Sequence, residues 1–132
     1  METRNEFKWI GIDEESDDDR FDLSLISEEP MRPIHQILYE QVGDWEAGDR
    51  VGEVFGVAIR AGGGRAMCIL DFRLDSGDGL LATGGLYAEH VWEGERSIAI
   101  TGGTGKHVRA AGVVTVESMN PKRYGVSLET GG

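Results

Sequence analysis

The chain has 132 residues, the length of one domain, and carries 13 Lys and Arg against 24 Asp and Glu, a formal charge of −11. That sign argues against nucleic acid and anionic membrane as partners, since both select basic surfaces. No apolar run approaches the ~18 residues that cross a bilayer. Glu2, Arg4, Glu6 and Lys8 likewise interrupt any signal-peptide reading of Met1–Ile10. A lone cysteine, Cys68, cannot form an internal disulfide, so the expected compartment is the reducing cytoplasm.

The acidity is local. Residues 1–30 hold eleven acidic and three basic side chains, and the remaining 102 hold thirteen and ten. The run Asp13–Asp19 repels itself too strongly to be an element interior and reads as a solvated loop. It fails as a calcium loop, because its sixth and twelfth positions are Asp18 and Ser24 where Gly and Glu are needed. Two strand-length apolar stretches flank it, Phe7–Ile12 and Phe21–Ile26. Residues 1–30 are therefore expected to be an acidic N-terminal arm or lid, and residues 31–132 the main domain.

From Pro33 onward, short period-two runs alternate with glycine turns, and no stretch has helical spacing. The runs are Ile34–Val42, Val51–Ala61, Arg65–Leu74, Leu80–Glu89, Arg96–Thr101, Val108–Ser118 and Lys122–Glu129. With at least one more from the arm, they predict an all-β, eight-stranded antiparallel up-and-down barrel, whose closure removes both edges and can hold one small ligand. Alternation is clearest over Arg65–Leu74. Ala66, Cys68, Leu70, Phe72 and Leu74 form one apolar face, while Met67 and Ile69 make the other more apolar than solvent requires. A subunit interface or the folded arm would cover that second face.

Motif tests narrow the chemistry. Ile100–His107 reads ITGGTGKH, but a phosphate loop needs a leading Gly and a hydroxyl after the Lys, so the segment reads as a glycine turn between strands. His35, His90 and His107 form no local metal pair. Cys68, on an apolar face, reads as packing before nucleophile. Glu40 shares a face with Gln36, Leu38 and Val42. Tyr87 shares one with Leu81, Thr83 and Gly85, opposed by Leu80, Ala82, Gly84 and Leu86. Both faces of that run are apolar or small, and alternation leaves open which points inward.

Asp49-Arg50-Val51-Gly52, Gly56, Ala99–Gly105 and Ala111-Gly112 together resemble the allene oxide cyclase and dirigent barrel superfamily, over about Leu38–Ser118. The resemblance implies a barrel whose lumen binds an apolar substrate, usually in a homo-oligomer such as a dimer or trimer. Tyr39-Glu40 resembles the plant cyclase pair whose Glu faces the lumen. Ala58 falls where that family has a lumenal Cys, Leu70 and Phe72 on lumenal aromatics, and Tyr87 on a lumenal tyrosine. Val42 replaces the plant cyclase's Asn, which argues against allene oxide chemistry. A compact chain with an N-terminal arm is most similar to the bacterial polyketide cyclases that close spirotetronate-type rings.

The function this implies is cofactor- and metal-independent ring closure of a linear polyketide by intramolecular [4+2] cycloaddition. Such a reaction needs no proton transfer. A cavity that folds the chain into a reactive geometry can supply several kcal/mol, up to ~10. The expected substrate-binding set is Val54, Ala58, Cys68, Leu70, Phe72, Leu81, Thr83 and Trp92, with Tyr87 as hydrogen-bond donor and Glu40 near one end as catalytic candidates. The alternatives are a non-catalytic barrel carrying an apolar metabolite, and an interaction subunit whose barrel is filled by its own side chains.

Overall fold

The structure, a computed structural model, describes residues 3–13, 31–62, 65–87, 95–117 and 121–130. Eight strands follow in chain order: β1 Thr3–Asp13, β2 Met31–Gln41, β3 Ala47–Gly62, β4 Arg65–Leu74, β5 Gly79–Tyr87, β6 Glu95–Thr104, β7 Ala111–Glu117 and β8 Lys122–Thr130. Each pairs antiparallel with its neighbour in sequence, and β1 also pairs with β8, closing the barrel as expected. The described residues contain no α-helix, and so none long and apolar enough to cross a membrane.

Closure depends on the first strand. Trp9 lies opposite Glu40 of β2 on one side and Tyr124 of β8 on the other. The barrel therefore begins at Thr3, and a domain boundary at residue 31 would cut off one of its staves. Residues 14–30, including the Phe21–Ile26 stretch and most of the acidic run, lie outside the described residues.

Several strand limits differ from the sequence reading, among them the end of β6 and the start of β7. β6 runs on through Gly102 and Gly103, because those glycines pair with Leu81 and Leu80 before the chain turns. The run at Val108 becomes strand only at Ala111, since Gly105–His107 form a short 3₁₀ turn and Val108 is exposed. Gly105 has φ +65, a left-handed conformation costly to side-chain-bearing residues, and a Cβ there would collide with Asp78 Oδ1.

The pleat sends alternate residues into the lumen. Val54 of β3, Cys68, Leu70 and Phe72 of β4, and Leu80 and Ala82 of β5 are buried in one core that extends to Ile98, Val114 and Tyr124. One end of the barrel is filled. Phe7 stacks on Trp9 at 5.7 Å, Trp9 tilts against Phe72 at 5.8 Å, and Phe72 meets Tyr124 edge-on at 5.3 Å. His107 closes that end, its ring edge-on to Phe7 at 6.4 Å. At the other end the described strands stop at Asp13, Gly62, Tyr87 and Glu117.

Candidate functional site

At that second end the inner wall changes character. Ala58 of β3, Cys68 of β4 and Gly84 of β5 lie side by side across three strands. Ile34, Gly56, Ala58, Ala66 and Gly84 are only half-buried, although they share the alternation that is fully buried further in. Small side chains thin the inner wall here, and at Gly84 the Ile98 side chain packs over the place that a Cβ would take.

Polar groups face this wall. Tyr124 is fully buried, and its hydroxyl donates to Gln36 Oε1 at 2.6 Å. Gln36 Nε2 in turn donates to Asp13 Oδ1 at 2.8 Å. Gly11 makes room for this chain: a Cβ there would stand 2.5 Å from Gln36 Oε1 and 2.6 Å from the Tyr124 ring. Arg96 and Lys122, the polar-end residues of β6 and β8, are both buried. Lys122 Nζ lies 5.9 Å from the centre of the Tyr124 ring.

Burial pushes the Tyr124 phenol well above its ordinary pKa. It also raises the Cys68 thiol, against the opposing pull of Lys122 and Arg96. Desolvation lowers Arg96, though a guanidinium starts so high that it stays charged. At neutral pH this end of the lumen therefore offers a phenol, a thiol and the Arg96 guanidinium, which donate hydrogen bonds rather than abstract protons.

The sequence-derived site divides. Val54, Cys68, Leu70 and Phe72 are buried in the lumen, and Ala58 lies on its half-buried wall. Val54, Leu70 and Phe72 belong to the packed section, so they fill the barrel where a ligand was expected to lie. Leu81 is 38% exposed and Thr83 pairs with exposed Ile69, which puts both on the outer face. The inward residues of β5 are Leu80 and Ala82. This corrects the assignment that two apolar faces had left open.

Glu40 is exposed, opposite Trp9 toward the filled end. Tyr87 is the last residue of β5, opposite Arg65 of β4 at the other end, so the barrel does not bring the two catalytic candidates together. Tyr87's side chain lies outside those described, and Trp92 lies outside the described residues altogether. Gln36, Arg96, Lys122 and Tyr124 were not singled out from sequence. Their signal was present: Arg96, Ile98 and Ile100 alternate with Ser97, Ala99 and Thr101, and Lys122, Tyr124, Val126 and Leu128 with Arg123, Gly125, Ser127 and Glu129.

No protein-family model and no curated protein sequence matches the chain. Solved structures do. A pyocyanin demethylase superposes with a TM-score of 0.66 at 20% identity, covering 94% of this chain and 99% of its own. The pterocarpan synthase dirigent protein GePTS1 gives 0.61 at 14% identity, covering 98% of this chain and 86% of its own. A second pterocarpan synthase dirigent protein, PsPTS1, gives 0.60 at 13% identity over 98% and 94%. At these identities the likeness establishes the architecture: this chain has the barrel fold found in dirigent proteins and in pyocyanin demethylase.

Proposed function

We propose that the protein is a cyclase of natural-product metabolism that receives a linear, largely apolar polyketide at the polar end of the barrel and closes a ring by intramolecular [4+2] cycloaddition. The observation that carries this reading is the small, half-buried inner wall of Ala58, Ala66 and Gly84 facing buried Tyr124, Gln36, Arg96 and Lys122. A pericyclic closure needs a shaped wall and a hydrogen-bond donor, not a base. The wall restricts the substrate to reactive conformers, which lowers the entropic barrier. A donor aimed at a carbonyl conjugated to the dienophile stabilises the charge that builds there. The dirigent proteins and the demethylase that share the fold bear names from small-molecule chemistry, which fits this class without fixing the reaction.

The test is substrate-blind. The gene is deleted and metabolites are compared by chromatography and accurate mass. Accumulation of an isomer of a lost product, converted to that product by the purified protein, is the expected result. Ala58→Trp, which obstructs the small wall, should abolish the conversion. An unchanged metabolite profile overturns the cyclase.

A second reading, a barrel that binds and carries the metabolite unchanged, rests on the same small wall and buried polar groups. Binding without conversion by the purified protein selects it. We also propose a homo-oligomer, supported by the outward Phe55, Ile59, Met67, Ile69 and Leu81, each more than a third exposed on neighbouring strands β3 to β5.

A further inference from the structure

We propose that His107 is an acid-released plug: uncharged, it seals the aromatic end of the barrel, and once protonated it withdraws and uncovers the Phe7–Trp9 stack. The plug lies at the end opposite the proposed site and does not depend on that reading.

One side chain fastens the turn into the barrel. From Thr104 to Arg109 every residue is exposed except His107, which is 8% exposed. The sequence leaves room for it at Gly103, where a Cβ would collide with the His107 carbonyl and stand 3.0 Å from its Cβ. The His107 ring meets Phe7 edge-on, and Phe7 continues the row of rings to Trp9 and Phe72. Nε2 is buried there with no hydrogen-bond partner among the described residues. Leucine or phenylalanine would fill the place without orphaning a polar atom, so packing alone does not account for a histidine.

Protonation reverses the balance. A charged imidazole needs hydrogen bonds or water, which an aromatic surround does not supply. Phe7 of β1 and Gly103 of β6, which pack against it, bring no charge. The charged groups that act on it are Asp78 of the β4–β5 turn and Lys106 of its own turn. Asp78 favours the imidazolium, Lys106 opposes it, and burial outweighs the carboxylate. Asp78 keeps its charge in mild acid, because the Lys106 backbone N–H holds its carboxyl below the ordinary range. His107 is thus the member of this group that changes charge.

The turn is built to let the ring move. Gly105, at φ +65, provides a pivot on one side. The hydrogen bond from the Lys106 N–H to Asp78 Oδ1, at 3.0 Å, does not involve His107 and can hold the base of the turn while the ring leaves. A withdrawn histidine titrates near pH 6.5. Below that, each pH unit should favour the withdrawn turn by up to about tenfold, until the seated ring protonates as well.

The experiment follows the whole protein by proton NMR between pH 8 and 5, with the neutral nitroxide TEMPOL as a probe of solvent access. The His107 imidazole should titrate below its ordinary value. Broadening of the Phe7 and Trp9 ring signals by the nitroxide should rise severalfold with the same midpoint. His107→Phe should keep both rings protected at every pH, and His107→Lys should show the acid-state broadening already at pH 8. A His107 that protonates while Phe7 and Trp9 stay protected overturns the plug. So does a His107 titrating at its ordinary value, or the same acid broadening in His107→Phe. The wild-type titration decides the question even if a variant does not fold.

Discussion

The buried contact between Tyr124 and Gln36 shows how single side chains set the character of this lumen. Removing the hydroxyl takes the Tyr124 donor from the buried Gln36 Oε1, whereas removing both partners takes away donor and acceptor together. Tyr124→Phe should therefore cost about 1–3 kcal/mol. Tyr124→Phe combined with Gln36→Leu should cost less than the two single changes added together. Urea denaturation of the four proteins measures both values, and strict additivity would remove the bond from the account. His107 is the complementary case, since its buried Nε2 has no hydrogen-bond partner among the described residues. Desolvation holds its pKa below the ordinary value, against the carboxylate of Asp78 and with Lys106. The unfolded chain then takes up a proton near pH 6.5 that the folded chain refuses. Stability contributed by His107 should be complete above that pH and decline as pH falls toward the lower folded value. Melting curves between pH 8 and 5 should show a loss that His107→Leu lacks, and parallel curves would refute it.

Elements are held together here by turns as well as by ladders. Asp78, in the β4–β5 turn, accepts the backbone N–H of Lys106 at 3.0 Å and the Ser76 hydroxyl at 2.9 Å, and Lys106 Nζ lies 3.6 Å from its other oxygen. One half-buried carboxylate thus pins the 3₁₀ turn after β6 to a neighbouring hairpin. The backbone hydrogen bond lowers the Asp78 pKa, so its contribution is present at neutral pH and is lost as pH falls below the ordinary carboxylate range. Asp78→Ala should speed amide exchange at Lys106 while leaving the β4 amides protected. Gly105→Ala should cost about 1–2 kcal/mol from its left-handed backbone alone, with the Asp78 collision added. On the opposite wall, Arg123 lies 4.2 Å over the Trp45 ring, pairs with Glu117 at 2.6 Å and donates to the Asp44 carbonyl at 3.1 Å. That clasp ties the β2–β3 loop to β8.

At the scale of the whole molecule, closure is all or nothing. Deleting residues 1–13 removes a stave that pairs with both β2 and β8, exposing two edges and the core beneath Trp9. The truncated protein should be unfolded or aggregated by circular dichroism and sedimentation, and a folded monomer would contradict the topology. A truncation meant to test the arm as a lid must therefore spare Thr3–Asp13. The outer face makes a separate prediction. Met67→Lys with Ile69→Lys should leave the fold intact and shift the protein to monomer by light scattering, whereas a wild-type monomer would end the oligomer proposal. Exposed apolar residues grouped on adjacent strands are the usual mark of such an interface.

Period-two alternation and glycine turns were enough to read an antiparallel barrel, because a strand buried on one face writes that burial into every second residue. The same rule placed Cys68, Leu70 and Phe72 inside, since the β4 faces differ sharply in polarity. It could not place Leu81 and Thr83, because β5 is apolar or small on both faces and only its pairing with exposed Ile69 decides between them. Nor could it join Glu40 and Tyr87, whose separation follows from opposite ends of different strands. The polar end of the lumen was hidden for a third reason. Gln36, Arg96, Lys122 and Tyr124 come from three strands far apart in the chain, and polar residues at strand ends look like solvated surface until closure folds them inward. Alternation is a local property and was legible residue by residue. Which faces meet across the lumen is fixed only when β1 pairs with β8.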